Sequence, residues 1–161
     1  MRILVFSDTH GNTDTMHDII SRNRLNCDLV IHLGDHYMDI DEVSRDFPQI
    51  AFLGVRGNCD FIQDDRYKQT HVFTVEGCTF FLTHGHMQDV KRSRALLAVE
   101  AKRAGASVAL FGHTHKGLLE KCGNITVFNP GSLENPRDFC GGSYGIITVK
   151  DGKCNFEIIK L

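Results

Sequence analysis

The chain has 161 residues, 42% of them hydrophobic and 24% charged. That length fits one domain, spanning residues 1–161, and that composition excludes wholesale disorder. Eighteen Lys and Arg against twenty Asp and Glu give a net charge of −2, so nucleic acid is not indicated as a partner and neither is an anionic membrane surface.

No apolar run approaches the ~20 residues that cross a bilayer. Met1 to Phe6 enter a strand-like run directly, without a charged-then-apolar leader. The six cysteines (Cys27, Cys59, Cys78, Cys122, Cys140, Cys154) form no CxxC pair. The expectation is a cytoplasmic protein with reduced thiols.

In chain order, Ile3–Phe6 reads as a strand buried on both faces. Gly11 turns the chain, and Asn12 or Thr13 caps a helix with Met16, Ile19 and Ile20 on one side. Leu29–Leu33 is a second strand, a short helix spans Ile40–Phe47 before Pro48, and Ile50–Val55 is a third strand. This β-α-β alternation predicts a largely parallel sheet flanked by helices. Val72–Val75 and Thr79–Thr83 then read as a hairpin around Glu76-Gly77. A helix is predicted over Val90–Ala104, with Gly105 ending it. Val90, Leu97, Ala101 and Ala104 would form its apolar stripe, and Lys91, Arg92, Lys102 and Arg103 a solvated basic side. Val108–Phe111 is a further strand. Two hairpins follow, turning near Gly123-Asn124 and at Asp151-Gly152. Two sheets with helices outside them is the simplest packing of these elements.

Five of the nine histidines, His10, His84, His86, His113 and His115, sit in three short clusters after apolar runs. With them come Asp8 after the first strand, Asp35 (with Asp39 nearby) after the second, and Gly57-Asn58-Cys59-Asp60 after the third. Each cluster alone has a bland structural explanation as a turn, a cap or a core histidine. Five in succession, nearly all just after a strand, converge at the carboxyl ends of an α/β sheet, where ligands collect. Asp, His and Asn offer oxygen and nitrogen donors without thiolate, which suits Mn²⁺, Fe²⁺, Zn²⁺ or Ni²⁺ better than an all-oxygen Mg²⁺ or Ca²⁺ cage. Two divalent ions ~3.5–4 Å apart need a bridging carboxylate, for which Asp35 is the natural choice, and such a pair makes hydroxide from water near neutral pH. The helix N-terminus after Gly11 would add to an anion pocket. Arg137, after Asn129-Pro130-Gly131-Ser132, would add a bidentate phosphate contact.

Asp8-x-His10, Gly34-Asp35, Gly57-Asn58, His84-Gly85 and Gly112-His113-x-His115 resemble, in order, the five motifs of the calcineurin-like metallophosphoesterases. The Gly57-Asn58-Cys59-Asp60 variant and the Asn129–Ser132 segment resemble the small phosphodiesterase branch of that family. The resemblance implies a four-layer α/β/β/α sandwich of two mixed sheets with outer helices. It implies Asp8, His10, Asp35 and His115 on one metal, and Asp35, Asn58, His84 and His113 on the other. In many family members a histidine follows the motif-three asparagine and protonates the leaving group. Here that residue is Cys59, whose neutral thiol is a poor general acid. His36 and His86 are the candidate replacements, and Asp60, the usual partner of the absent histidine, is left without a role.

The expected activity is therefore a dimetal phosphodiesterase, with Mn²⁺ favoured, in which a metal-bound hydroxide attacks phosphorus in line, acting through Asp35, Asn58 and His86 on a small phosphoester. Two alternatives stand beside it: a phosphomonoesterase, and a non-catalytic interaction module on the same fold, like the retromer subunit. The full ligand set argues against the module, as does the lack of any exposed apolar surface legible in the sequence. If the protein self-associates, a symmetric homodimer is the default. The natural substrate depends on the loops between Asp60 and Lys68 and around Phe139.

Overall fold

The computed structural model describes residues 1–61, 64–138 and 141–161. The loops between Asp60 and Lys68 and around Phe139 lie partly outside them, and Cys140 wholly so; the other five cysteines are free thiols.

The strand β1 (Arg2–Phe6) pairs in parallel with β2 (Leu29–His32), which pairs in parallel with β3 (Ala51–Gly54). On its other side β1 pairs antiparallel with β9 (Ser143–Lys150), itself antiparallel to β10 (Lys153–Lys160). The sheet order is β10-β9-β1-β2-β3. It is mixed where the β-α-β alternation alone predicted parallel pairing, because the Asp151-Gly152 hairpin returns to the free edge of β1. Both turn residues have positive φ, 50° and 73°, the backbone that a two-residue hairpin turn requires.

The second sheet, β4-β5-β6-β8-β7, holds β4 (Thr70–Val75), β5 (Cys78–Thr83), β6 (Val108–Leu110), β7 (Gly117–Cys122) and β8 (Ile125–Pro130). Only β5-β6 and β6-β8 are parallel there.

Period-two alternation along the central strands assigns the layers. Ile3 and Val5 point to the space between the sheets, packing with Ile31, Phe80, Leu82, Leu110 and Phe128. Leu4 and Phe6 point the other way, against Met16 and Ile20 of α1 (Thr13–Asn23) and Ile40 of α2 (Met38–Val43). Phe81, Ala109 and Val127 face outward from the second sheet onto Leu97 and Ala101 of α3 (Ala95–Arg103). The result is a four-layer α/β/β/α sandwich of two mixed sheets.

Two predicted helices differ in extent. The second starts at Met38, and a 3₁₀ turn, Ser44–Asp46, covers its predicted end. The third starts at Ala95, not Val90. Asp89 takes a left-handed φ of 49°, and the Val90 N–H donates to Gly85 O at 3.3 Å, which ties these residues into a turn. Val90 is still fully buried, but Lys91 and Arg92 do not belong to the helix. Gly105, at φ 73°, follows the helix end as predicted.

Candidate metal centre

The carboxyl ends of β1, β2, β3, β5 and β6 open at one end of the sandwich. The loops that follow them carry Asp8 and His10, Asp35, Asn58, His84, and His113 and His115. Asp8, His10, Asp35, His36, His113 and His115 all have φ between 47° and 75°. Such left-handed backbone costs a non-glycine residue energy and concentrates at functional sites.

Close packing of the loops explains the glycines between them. A Cβ on Gly112 would collide with the Ser7 hydroxyl, and one on Gly57 with the Asp35 carboxylate. Both positions therefore admit only glycine at this separation.

Two groups of donor atoms form. Asp8, His10, Asp35 and His115 place one ligand atom each within 4.8 Å of one another, and so do Asp35, His84 and His113. Asp35 is common to both. Asn58 lines the same cavity, of about 550 Å³, together with His10, Asp35, His113, His115 and Arg137.

Ring orientation is fixed from behind. His84 Nδ1 donates to Leu33 O and His115 Nδ1 to Asn135 O, both at 2.7 Å, so each ring turns Nε2 to the cavity. In the neutral ring, His115 Nε2 is a bare lone pair 3.1 Å from Asp8 Oδ1. That buried carboxylate oxygen has no hydrogen-bond donor among the described residues. Two buried acceptors facing each other are what a cation would satisfy, so the residues present fit a metal.

The electrostatics agree. Burial opposes the ionisation of Asp35, yet the hydrogen bond and charge of His84 and the Cys59 contacts outweigh it and hold the carboxyl far below its usual range. Asp8 is lowered as well, burial being overcome by His115, His84 and Ser7. His84 moves the opposite way: burial favours its neutral form, but Asp35 and Asp8 raise its pKa. Its Nε2 stands 3.4 Å from Asp35 Oδ1 and 3.2 Å from His113 Nδ1, so a proton on this nitrogen would compete with a cation for the same donors. Burial, then the His84 and Lys91 charges, push His113 down to about 4.

The other sequence-derived candidates divide. His86 does not line the cavity. Its ring lies 5.5 Å from that of His84 and 6.1 Å from that of His113, with a buried Nδ1 that has no partner among the described residues. His36 is exposed at the mouth, its ring 5.4 Å from that of His10. Arg137 is exposed and does line the cavity, with its backbone N–H donating to His115 O at 2.9 Å. The N-terminus of α1 contributes no lining residue. Asn12 Oδ1 caps it by accepting from Thr15 N at 3.3 Å, while Asn12 Nδ2 donates to Glu134 at 2.6 Å. At the helix end where the sequence suggests an anion, the Asn12 side chain thus takes one of the first-turn N–H groups.

Cys59 stays a neutral thiol. Burial and the adjacent Asp35 carboxylate push it up to about 11. The expected lack of exposed apolar surface fails beside it, where Met38 and Phe61 stand exposed in a neighbouring cleft with His36. Met38 faces outward because α2 buries its Asp39, Ile40 and Val43 side.

Several working residues were not legible as such. The Asp60 carboxylate accepts four backbone N–H groups: Asp35 at 3.0 Å, His36 at 2.7 Å, Tyr37 at 3.1 Å and Gly57 at 2.7 Å. Asp39 is not a ligand; it accepts from Thr9 Oγ1 at 2.6 Å and Gly11 N at 3.0 Å. Thr9 also meets the buried His32 Nε2 at 2.8 Å. Asn129 donates to Gly112 O at 2.8 Å, and Ser132 Oγ donates to Asp8 O at 2.8 Å. The Asn129–Ser132 segment thus braces the first and fifth loops. A polar residue buried at a strand end is the signal that would have pointed to them.

A family model described as a calcineurin-like phosphoesterase superfamily domain matches residues 1–152. The chain is 32% identical over 152 residues to a probable metallophosphoesterase of Bacillus subtilis, covering 94% of this chain and 86% of that one. It is 27% identical over 164 residues to a phosphodiesterase of Methanocaldococcus jannaschii, with 92% and 90% covered. The crystal structure of a predicted phosphoesterase from Streptococcus pneumoniae superimposes with a TM-score of 0.81 at 25% identity, covering 99% of this chain and 88% of that one.

Proposed function

Since the chain belongs to the calcineurin-like phosphoesterase superfamily, we propose that it is a dimetal-dependent phosphodiesterase. The observation that carries this reading is that Asp35 belongs to both donor groups. One carboxylate can therefore join two ions, Asp8, His10 and His115 holding one and Asn58, His84 and His113 the other. When bound, a pair of divalent transition-metal ions, Mn²⁺ by preference, polarises a phosphoryl oxygen and lowers the pKa of water to near neutral.

The chain's own residues supply the rest. Asp60, Ser132 and Asn129 hold the ligand loops so that the donors are in place before substrate arrives. Arg137 and Lys91 line the cavity as cations and attract an anionic ester. Cys59 keeps its proton and donates none to a leaving group. His86 is not among the residues that line the cavity, so the part of leaving-group acid is not assigned to it. Preference accordingly goes to esters with good leaving groups, which need no protonation. With its bound ester oxygen free to leave unassisted, an aryl diester is the substrate type that fits.

The test is hydrolysis of bis(p-nitrophenyl) phosphate against p-nitrophenyl phosphate, by chelated protein and with added Mn²⁺. Metal-dependent cleavage of the diester is expected. Cleavage of the monoester alone would replace the diesterase reading with a monoesterase, and no turnover with metal bound would favour an interaction module.

A further inference from the structure

We propose that the cleft beside the metal cavity is a second anion subsite, which takes a phosphate carried by the same molecule as the scissile ester. This deepens the phosphodiesterase reading and rests on it for the word substrate, though not for binding. The cleft, about 520 Å³, shares Lys91 and Arg137 with the metal cavity and adds Arg94, Lys116 and Leu118. Among the described residues Lys91, Lys116 and Arg137 make no ion pair, whereas Arg94 is committed to Glu120 at 2.9 Å. One carboxylate opposes them: Asp138, whose Oδ2 accepts from Gly117 N at 3.5 Å. Three free cations against one carboxylate is a local excess of positive charge in a chain whose net charge is −2.

Unpaired lysines on an open surface ask for no explanation. These three differ because each is registered to a metal-ligand loop. Lys91 stands next to the fully buried Val90, whose N–H returns to Gly85 O at 3.3 Å, directly after His84. A Cβ on Gly85 would lie 2.8 Å from Val90 Cγ2, so the turn closes tightly on glycine and fixes where Lys91 emerges. The Lys116 N–H donates to Thr114 Oγ1 at 3.3 Å, between His113 and His115. The Arg137 N–H donates to His115 O at 2.9 Å. The backbone from which each of these exposed cations emerges is thus tied to a loop that carries metal donors. Like charges gathered in one concavity repel, and a visiting anion relieves that repulsion. A phosphate seated there would place an attached diester over the donor groups through the wall the two cavities share. Lys91 and Arg137 would then touch both phosphates.

Two p-nitrophenyl esters of thymidine 5′-phosphate, one with and one without a 3′-phosphate, isolate the effect of the second anion. In the Mn²⁺-loaded protein the 3′-phosphate is expected to lower KM about tenfold, a preference that shrinks with added salt. Lys116→Glu should abolish the preference and Lys116→Ala reduce it. Equal KM values in the native protein, or a preference unchanged in Lys116→Glu, would overturn the proposal.

A second arm needs no turnover. Thymidine 3′,5′-diphosphate is titrated into metal-free protein by calorimetry, with the same variants. Binding that Lys116→Glu removes supports the subsite even if no ester is ever cleaved, in which case only the phosphodiesterase reading falls. Inorganic phosphate competing as well as the diphosphate would show a free-anion site and overturn the assignment to substrate.

Discussion

Asp60 accepts the backbone N–H of Asp35 at 3.0 Å, so the one residue shared by both donor groups is held by a carboxylate that ligates nothing itself. The same carboxylate takes the N–H of Gly57 at 2.7 Å, two residues before Cys59, whose N–H in turn donates to Asp35 Oδ1 at 2.8 Å. The second and third loops are therefore cross-tied, and the left-handed φ of 58° at Asp35 is maintained by these ties.

Asp60→Ala strips the charged acceptor from four backbone donors. Hydrogen bonds to charged groups contribute about 1.5–3 kcal/mol each and are not additive, so a loss of about 3 kcal/mol in urea unfolding is expected, with weaker metal binding. Asp60→Asn keeps one acceptor oxygen and should lose about half as much. A variant as stable as the parent, with undiminished metal affinity, would show that the ties are incidental.

Much of this was legible in the sequence for a definite reason. Apolar runs such as Ile3–Phe6 and Leu29–His32 are buried on both faces, so they read as strands without knowledge of their partners. The donors follow them directly, and order along the chain then gives convergence in space. What failed to show was anything set by backbone conformation. The left-handed turn at Asp89 removed Lys91 from its predicted helix, and nothing in the spacing of Val90 and Leu97 reports a positive φ. Asp60 was obscure for a related reason: its partners are main-chain N–H groups, which leave no mark in sequence. The hydrogen bond from Asn12 to Glu134, far apart in the chain, at the helix end that the sequence alone assigned to an anion, left no mark in the sequence either.

Metal affinity should rise with pH. Without metal, Asp35 and Asp8 raise the pKa of His84 against its burial, so a proton on this ring competes with metal to higher pH than on a free imidazole. His113, down at about 4, is already deprotonated at neutral pH and releases none. Calorimetry of Mn²⁺ binding at several pH values, in buffers of different ionisation enthalpy, should report proton release from the His84 ring that grows as pH falls. Release that does not change with pH would contradict a raised His84.

Acid stability of the metal-free protein depends on the same pair. The folded pKa of Asp35 is depressed, so its contribution is present above its ordinary carboxylate range and is lost as pH falls through and below that range. Urea midpoints should fall between about pH 5 and pH 2, and less steeply in Asp35→Asn, which has no carboxyl to protonate. Parallel profiles for the two proteins would place the acid sensitivity elsewhere.

Cys59 keeps its proton, so Cys59→Ala should leave diester hydrolysis within about twofold of the parent, while Cys59→His installs an imidazole of suitable pKa and should speed alkyl esters far more than aryl esters, general-acid catalysis contributing roughly 10²–10⁴-fold where it operates. The gain should fall toward the lower end of that range, because Asp60 is occupied by backbone donors and is not free to orient the new ring. Loss of aryl-ester activity in Cys59→Ala would return the thiol to the reaction.

The outer helix layer is tested by Leu97→Ala. Leu97 is fully buried against the second sheet, and truncation of such a side chain costs about 2–5 kcal/mol. A cost under about 0.5 kcal/mol, the range of surface substitutions, would mean that α3 does not seal that sheet.

The most direct test of the central claim is the number of Mn²⁺ ions bound per chain, by equilibrium dialysis and elemental analysis, in the parent and in Asp35→Asn. The shared carboxylate predicts two ions in the parent and no more than one held tightly in the variant. A parent that binds a single ion, or a variant that still binds two with unchanged affinity, would contradict it.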